Sequence, residues 1–230
     1  RIVFDSNRGA NYEISAMADD GTDVVQLTRD DAYDAFWARP SPDGTRVLFY
    51  RVPAGRHNMP GEYRETTLWV MEPDGTRATE IVERGAFGWE QQGHAEWSPD
   101  GAALTMFAGS QLNPQIWVTD ADGRDPRQVT RDPGTNVDPA WSPDGSKIAY
   151  VACPEAVCLP TDQEVYTVPA AGGKRTRLTA DSLRDHDPYY SPDGREIAFL
   201  TQTAAPGGGR SAGSWNLRIV GVDGGAVRML

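Results

Sequence analysis

Ser-Pro-Asp-Gly occurs four times, at residues 41–44, 98–101, 142–145 and 191–194, with its glycines 57, 44 and 49 residues apart. Recurrence at such a period constrains the fold more than any other feature of the sequence, because each copy must build the same local structure. Proline presets φ at the first central position of a type I turn, serine and aspartate bond nearby amides, and glycine takes the positive φ that follows. An apolar strand comes after each turn at a fixed offset: Val47-Leu48-Phe49-Tyr50, Leu104-Thr105-Met106-Phe107, Ile148-Ala149-Tyr150-Val151 and Ile197-Ala198-Phe199-Leu200. Ile2-Val3-Phe4 carries the same pattern with no turn of this type before it.

A second apolar segment follows in each unit, over Ile14 to Met17, Leu68 to Met71, Ile116 to Thr119, Val165 to Val168 and Leu217 to Val220. Each runs into Asp20-Gly21, Asp74-Gly75, Asp122-Gly123, Gly172-Gly173 or Asp223-Gly224, and such pairs favour tight hairpins. A short last strand ends at Leu27-Thr28, Ile81-Val82, Val129-Thr130, Leu178-Thr179 or Met229-Leu230. No segment sustains a helical period. Each unit therefore reads as four antiparallel strands, a to d, with Ser-Pro-Asp-Gly joining a to b and the second turn joining c to d. A sheet of this size cannot cover both of its faces alone, so the expected fold class is all-β, a β-propeller of four-stranded antiparallel blades. The chain reads as a single propeller domain over 1–230, with repeats at 1–28, 35–82, 94–130, 138–179 and 187–230. Its first blade lacks strand a. The aromatics before three of the turns, Trp97, Trp141 and Tyr190, are expected between blades.

Trp-Ser-Pro-Asp-Gly, then Ile-Ala-Tyr/Phe, Ile-Trp-Val, Asp-Gly and Leu-Thr, resembles the WD40-like PD40 repeats of TolB-like β-propellers. The resemblance runs over essentially the whole chain. It implies a propeller whose strand a is innermost, and it implies six blades, whereas five units are visible. The natural protein is then longer, or a strand from beyond Leu230 closes the ring. The family's N-terminal domain is absent from these 230 residues, so its partner is not carried over by resemblance.

The formal net charge is −11, and no basic run is present. Phosphate backbones and anionic lipid are repelled by such a chain, so nucleic acid is not an expected partner. No apolar run is long enough for a membrane helix, so no membrane insertion is expected. Cys153 and Cys158 are the only cysteines and lie in Ala-Cys-Pro-Glu-Ala-Val-Cys-Leu-Pro. A metal would need two more soft ligands nearby, so the spacing is read as a small disulfide loop. A disulfide implies an oxidising compartment, periplasmic or extracellular.

Hairpin parity points to one face. The a–b and c–d turns are short and emerge together, so the long b–c and d–a connections emerge on the opposite side. Loops on a rigid scaffold carry function more often than tight turns do. The residue four before each turn serine is expected near the channel mouth on that face: Trp37, His94, Asp138 and Asp187, with Arg39, Glu96, His186 and Tyr189 as neighbours. This mixture suits a polar or peptide ligand. No metal and no cofactor is assigned; His94, Asp138 and Asp187 are the residues that would hold an ion. Trp89, beside Phe87 in a d–a loop, is an expected partner anchor, and the longest insertion adds His57 and Tyr63.

Gly209-Arg210-Ser211-Ala212-Gly213 matches a hydrolase nucleophile elbow, but no helix follows it, so no catalytic residue is assigned. Asp120-Ala121-Asp122-Gly123 lacks the downstream glutamate of a calcium loop and reads as a hairpin turn. The expected function is a non-enzymatic scaffold, monomeric, binding a protein or peptide through its loop face. The alternative is the propeller domain of a larger enzyme, either a prolyl-oligopeptidase-type peptidase or a metal-dependent lyase-like protein.

Overall fold

A computed structural model describes residues 1–153, 163–181, 183–202 and 214–230. The chain is a five-bladed β-propeller. Blade 1 holds β1 (Ile2–Ser6), β2 (Glu13–Met17) and β3 (Val25–Gln26). Blade 2 holds β4 (Tyr33–Pro40), β5 (Val47–Pro53), β6 (Thr67–Met71) and β7 (Thr79–Val82). Blade 3 holds β8 (Gln91–Trp97), β9 (Ala103–Gly109), β10 (Pro114–Asp120) and β11 (Arg127–Gln128). Blade 4 holds β12 (Asn136–Trp141), β13 (Lys147–Ala152), β14 (Glu164–Pro169) and β15 (Thr176–Arg177). Blade 5 holds β16 (Arg184–Tyr190), β17 (Glu196–Gln202), β18 (Trp215–Gly221) and β19 (Arg228–Met229). Every blade is an antiparallel meander in chain order; four have four strands and the first has three.

The four Ser-Pro-Asp-Gly turns are copies of one structure. The serine hydroxyl donates to the aspartate at 2.6–2.7 Å and accepts the amide five residues on, and the glycines have φ of 70–71°. The Ser41 hydroxyl and Thr45 amide hold the Asp43 carboxyl down to about 2. Each turn also touches its neighbour: a Cβ at Gly101, Gly145 or Gly194 would sit 3.6–3.9 Å from Pro42, Pro99 or Pro143 of the blade before. The closing Thr28, Thr130 and Thr179 accept the strand-c amides of Ile14, Ile116 and Val165 at 2.8–2.9 Å. That bond explains why threonine recurs at the end of strand d.

The apolar core is divided among the blade interfaces. Ile14 and Ala16 pack with Phe49 and Met71 between blades 1 and 2, and Leu48 and Tyr50 pack with Leu104 and Met106 between 2 and 3. Ile116 packs with Ile148 and Tyr150 between 3 and 4, and Ala149 and Val165 with Ile197 and Phe199 between 4 and 5. Trp97 lies in this packing as expected, its indole N–H donating to the Arg39 carbonyl of blade 2 at 3.0 Å. Strand a starts earlier than the sequence suggests. Tyr33-Asp34, Gln91-Gln92 and Arg184-Asp185 are polar pairs that read as loop, yet they ladder with strand b.

Candidate functional site

Strand a carries a β-bulge in each of blades 2 to 5, marked by register shifts at Phe36/Arg39, Gly93/Glu96, Val137/Ala140 and His186/Tyr189. Inside the bulges sit Trp37, His94, Asp138 and Asp187, with φ of 57, 52, 54 and 47°. A left-handed non-glycine residue costs about 1–2 kcal/mol, and here the same cost recurs in four blades. A bulge re-aims a side chain out of the normal alternation, and these four turn toward one region of the axis. Because strand a begins earlier than expected, they lie inside strand a rather than at its start.

His94 is the centre of the group. Its Nδ1 lies 2.5 Å from Asp138 Oδ1, and its Nε2 is hydrogen-bonded to the Tyr63 hydroxyl at 2.7 Å. The Trp37 ring stacks on the imidazole at 4.1 Å and 8°. His186 Nδ1 approaches the other Asp138 oxygen at 3.4 Å, and the Asp187 amide faces that oxygen at 3.5 Å. His94, Asp138 and Asp187 each offer a donor atom within 4.8 Å of the others. A second trio with that spacing, Glu164, Asp181 and Asp185, lies off this group. Burial disfavours charge throughout the axial cluster, but the pair overcomes it: Asp138 holds the His94 pKa up and His94 holds the Asp138 pKa down. At Asp187 burial and then the Asp138 charge outweigh the pull of His94, His186 and Arg39 and push its pKa up.

A second layer crosses the channel beside it. Arg39 Nε donates to Glu96 at 2.6 Å, and its Nη2 donates to the Tyr189 hydroxyl at 3.0 Å, joining blades 2, 3 and 5. The guanidinium also lies 4.2 Å over the Trp37 ring. Burial and then the Glu96 charge push the Tyr189 phenol up to about 12. Trp37, Arg39, His94, Glu96, Asp138, His186, Asp187 and Tyr189 thus form one connected polar lining.

Trp89 is a correction. It is 5% exposed, with its ring 5.2 Å from Trp117, so it is packing and not a surface anchor; Phe87 beside it is exposed. Tyr63 belongs to the axial group, although its position in a long insertion gave no hint of that. Gly93 makes room for it, since a Cβ there would lie 2.7 Å from the Tyr63 ring. His57 is not free at the surface: it stacks on Phe36 at 4.0 Å and meets Glu62 at 3.0 Å. Asp120 accepts the amides of Asp122 and Arg124, so that segment is a hairpin turn. Cys153 is buried and is not a free thiol; Cys158 and Ser211 lie outside the described residues.

The family model for the TolB beta propeller domain, PD40, matches residues 57–210. The "Protein TolB homolog" of Chlorobium luteolum is 34% identical over 154 residues, which are 66% of this chain and 31% of that protein. The "Tol-Pal system protein TolB" of Escherichia fergusonii is 31% identical over 149 residues, 60% of this chain and 29% of that protein. The crystal structure of TolB from Acinetobacter baumannii superposes with a TM-score of 0.71 at 17% identity, covering 99% of this chain and 52% of that one. The chain therefore spans about a third of the length of these curated relatives, and the likeness to the solved structure is one of fold.

Proposed function

We propose, from the premise that the chain belongs to the PD40 family of TolB β-propeller domains, that it is a non-enzymatic scaffold binding a protein or peptide on its loop face. One observation carries this reading. In blades 2 to 4 the exposed large apolar side chains among the described residues are Tyr33, Met59, Phe87 and Leu112, and all four lie on the loop side. The opposite side of those blades is made of Ser-Pro-Asp-Gly turns and of the Asp-Gly or Gly-Gly turns that join strands c and d. Exposed aromatic and aliphatic side chains gathered on one face mark an interaction surface. The polar axial lining lies beneath them and is suited to orienting a bound segment. The partner is a protein or peptide rather than nucleic acid, and the chain acts as a monomer.

The test is site-specific photo-crosslinking in cells. A benzoylphenylalanine at position 87 or 112 is expected to give one discrete adduct, and the same probe at position 45 in a tight turn none. Adducts of equal yield from both faces, or none from either, would refute the assignment. Against the crosslinked partner, Phe87→Ala is expected to weaken binding about 30-fold, the scale of a hot-spot residue.

The same reading places the chain in the periplasm, with Cys153 bonded to Cys158. Native protein is then expected to show no thiol to Ellman's reagent before reduction and two after it. Two thiols titrating without reductant would remove the disulfide and the argument for location that rests on it.

A further inference from the structure

The turn side of the propeller carries a groove that the loop face does not share. Five residues after each turn serine stand Arg46, Ala103, Lys147 and Glu196. Arg1 holds the same register in blade 1, since Ile2 pairs with Met17 as Val47 pairs with Met71. Arg1 and Arg46 reach to the next blade in the same way. Nη1 of Arg1 donates to the Pro73 carbonyl and Nη1 of Arg46 to the Ala121 carbonyl, both at 3.3 Å. Arg46 also pairs with Asp122 at 3.2 Å and lays its guanidinium 4.6 Å over the Trp97 ring, which is left 7% exposed. One blade further on, both charges of that pair are gone. Ala103 stands in the place of Arg46 and Ala171 in the place of Asp122, while Trp141 repeats Trp97 and is only partly buried. What remains between blades 3 and 4 is a groove of about 690 Å³, lined by Trp141, Pro99, Ala103, Val118, Pro143 and Ala171.

We propose that this groove binds a small alkylguanidinium compound, whose planar cation stacks on Trp141 as the guanidinium of Arg46 stacks on Trp97. An indole face attracts a cation through its quadrupole, and guanidinium suits it because it is planar and weakly hydrated. The charges around the groove favour such a ligand. Asp100 and Asp144 both line it, and the hydroxyls of Ser98 and Ser142 hold their carboxyls below the usual range, so both stay charged. Arg127 is the cation in the lining, and its Nη2 already donates to the Ala170 carbonyl at 2.9 Å. Two carboxylates outweigh one engaged guanidinium, and the chain's net charge of −11 adds to the attraction. The proline, valine and alanine side chains offer apolar surface to the alkyl chain, and a few polar groups beside such surface are what orient a small ligand. The compound needs no partner on the loop face, so this site and the scaffold reading can fail separately.

The experiment is an NMR titration of nitrogen-15-labelled protein with n-butylguanidinium chloride at constant ionic strength, read on the indole N–H signals of the seven tryptophans. One signal is expected to shift saturably with a Kd of about 1 mM, the scale for so small a ligand. N-butylurea, neutral and of nearly the same shape, is expected to bind about 10-fold more weakly. Trp141→Leu identifies the signal and is expected to abolish binding. Ala103→Arg is expected to abolish it as well, because the new side chain fills the groove as Arg46 fills its own. Arg46→Ala is expected to uncover Trp97 and give a second saturable shift. Circular dichroism checks the fold of each variant; if Trp141→Leu does not fold, Ala103→Arg, which adds a side chain at the groove and removes none from the core, decides alone. Absence of a saturable shift up to about 20 mM, equal affinity for N-butylurea, or full binding in Ala103→Arg would each overturn the proposal. A single shift in Arg46→Ala would overturn it equally, since Trp97 then offers the same ring with the Asp122 carboxylate beside it.

Discussion

Gly123→Ala is expected to lower the unfolding free energy by about 3 kcal/mol, while Gly21→Ala, in the same Asp-Gly turn of blade 1, costs about 1–2 kcal/mol. Both glycines hold positive φ, 76° and 86°, so both variants bear the left-handed penalty of an L-residue. They differ in what surrounds them. A Cβ on Gly123 would lie 2.6 Å from the Ile81 carbonyl oxygen and 2.6 Å from a Val82 methyl, both on the last strand of the preceding blade. Nothing lies within 4 Å of a Cβ on Gly21. Gly75 repeats the close approach one blade earlier, 2.5 Å from the Leu27 carbonyl oxygen. The c–d turn therefore does two jobs in blades 2 and 3: it closes a hairpin, and it lets one blade lie backbone-to-backbone on the blade before. Urea denaturation of the two variants against the parent protein separates these jobs. Equal losses at Gly21 and Gly123 would mean that the blade contact contributes nothing.

This glycine marks where the sequence is legible and where it is not. Asp122-Gly123 predicts a hairpin because turn preference is a property of a few consecutive residues. That the same glycine must also admit the Ile81 carbonyl depends on a strand some forty residues away, and no local pattern carries it. The Ser-Pro-Asp-Gly turns are legible for the same local reason, and their fixed offset also locates Trp37, His94, Asp138 and Asp187 at one structural position. Their left-handed bulge is hidden, because tryptophan disfavours positive φ and histidine and aspartate tolerate it without requiring it. Tyr63 reads only as part of a surface insertion, since a hydrogen bond from a long loop to His94 leaves no periodic trace. Trp89 reads as an exposed loop aromatic for the converse reason: its cover, Trp117, lies on a different strand of the same blade. Loop composition reports solvent exposure on average and misses a single ring folded inward.

Asp185 carries the second large effect, and its direction runs against the usual behaviour of a buried carboxylate in an ion pair. It is fully buried where blade 4 meets blade 5, accepting the hydroxyls of Thr179 at 2.7 Å and Thr201 at 2.8 Å. Two neutral donors do not offset its burial, and its pKa is pushed up from 3.8 to about 6. Between those values the folded state holds more protons than the unfolded state, so stability falls as pH rises. The contribution is complete below about pH 4 and is gone once pH has passed through about 6. A shift of this size corresponds to about 3 kcal/mol. Asp185→Asn removes the titration, though it also disturbs the two hydroxyl contacts. The quantity to measure is therefore the difference in unfolding free energy, variant minus parent, at several pH values. Any fixed packing loss cancels from its slope. This difference is expected to rise by about 3 kcal/mol between pH 3.5 and 7.5. A flat difference would show that Asp185 keeps its ordinary pKa, and that the blade 4–5 junction tolerates its charge without penalty.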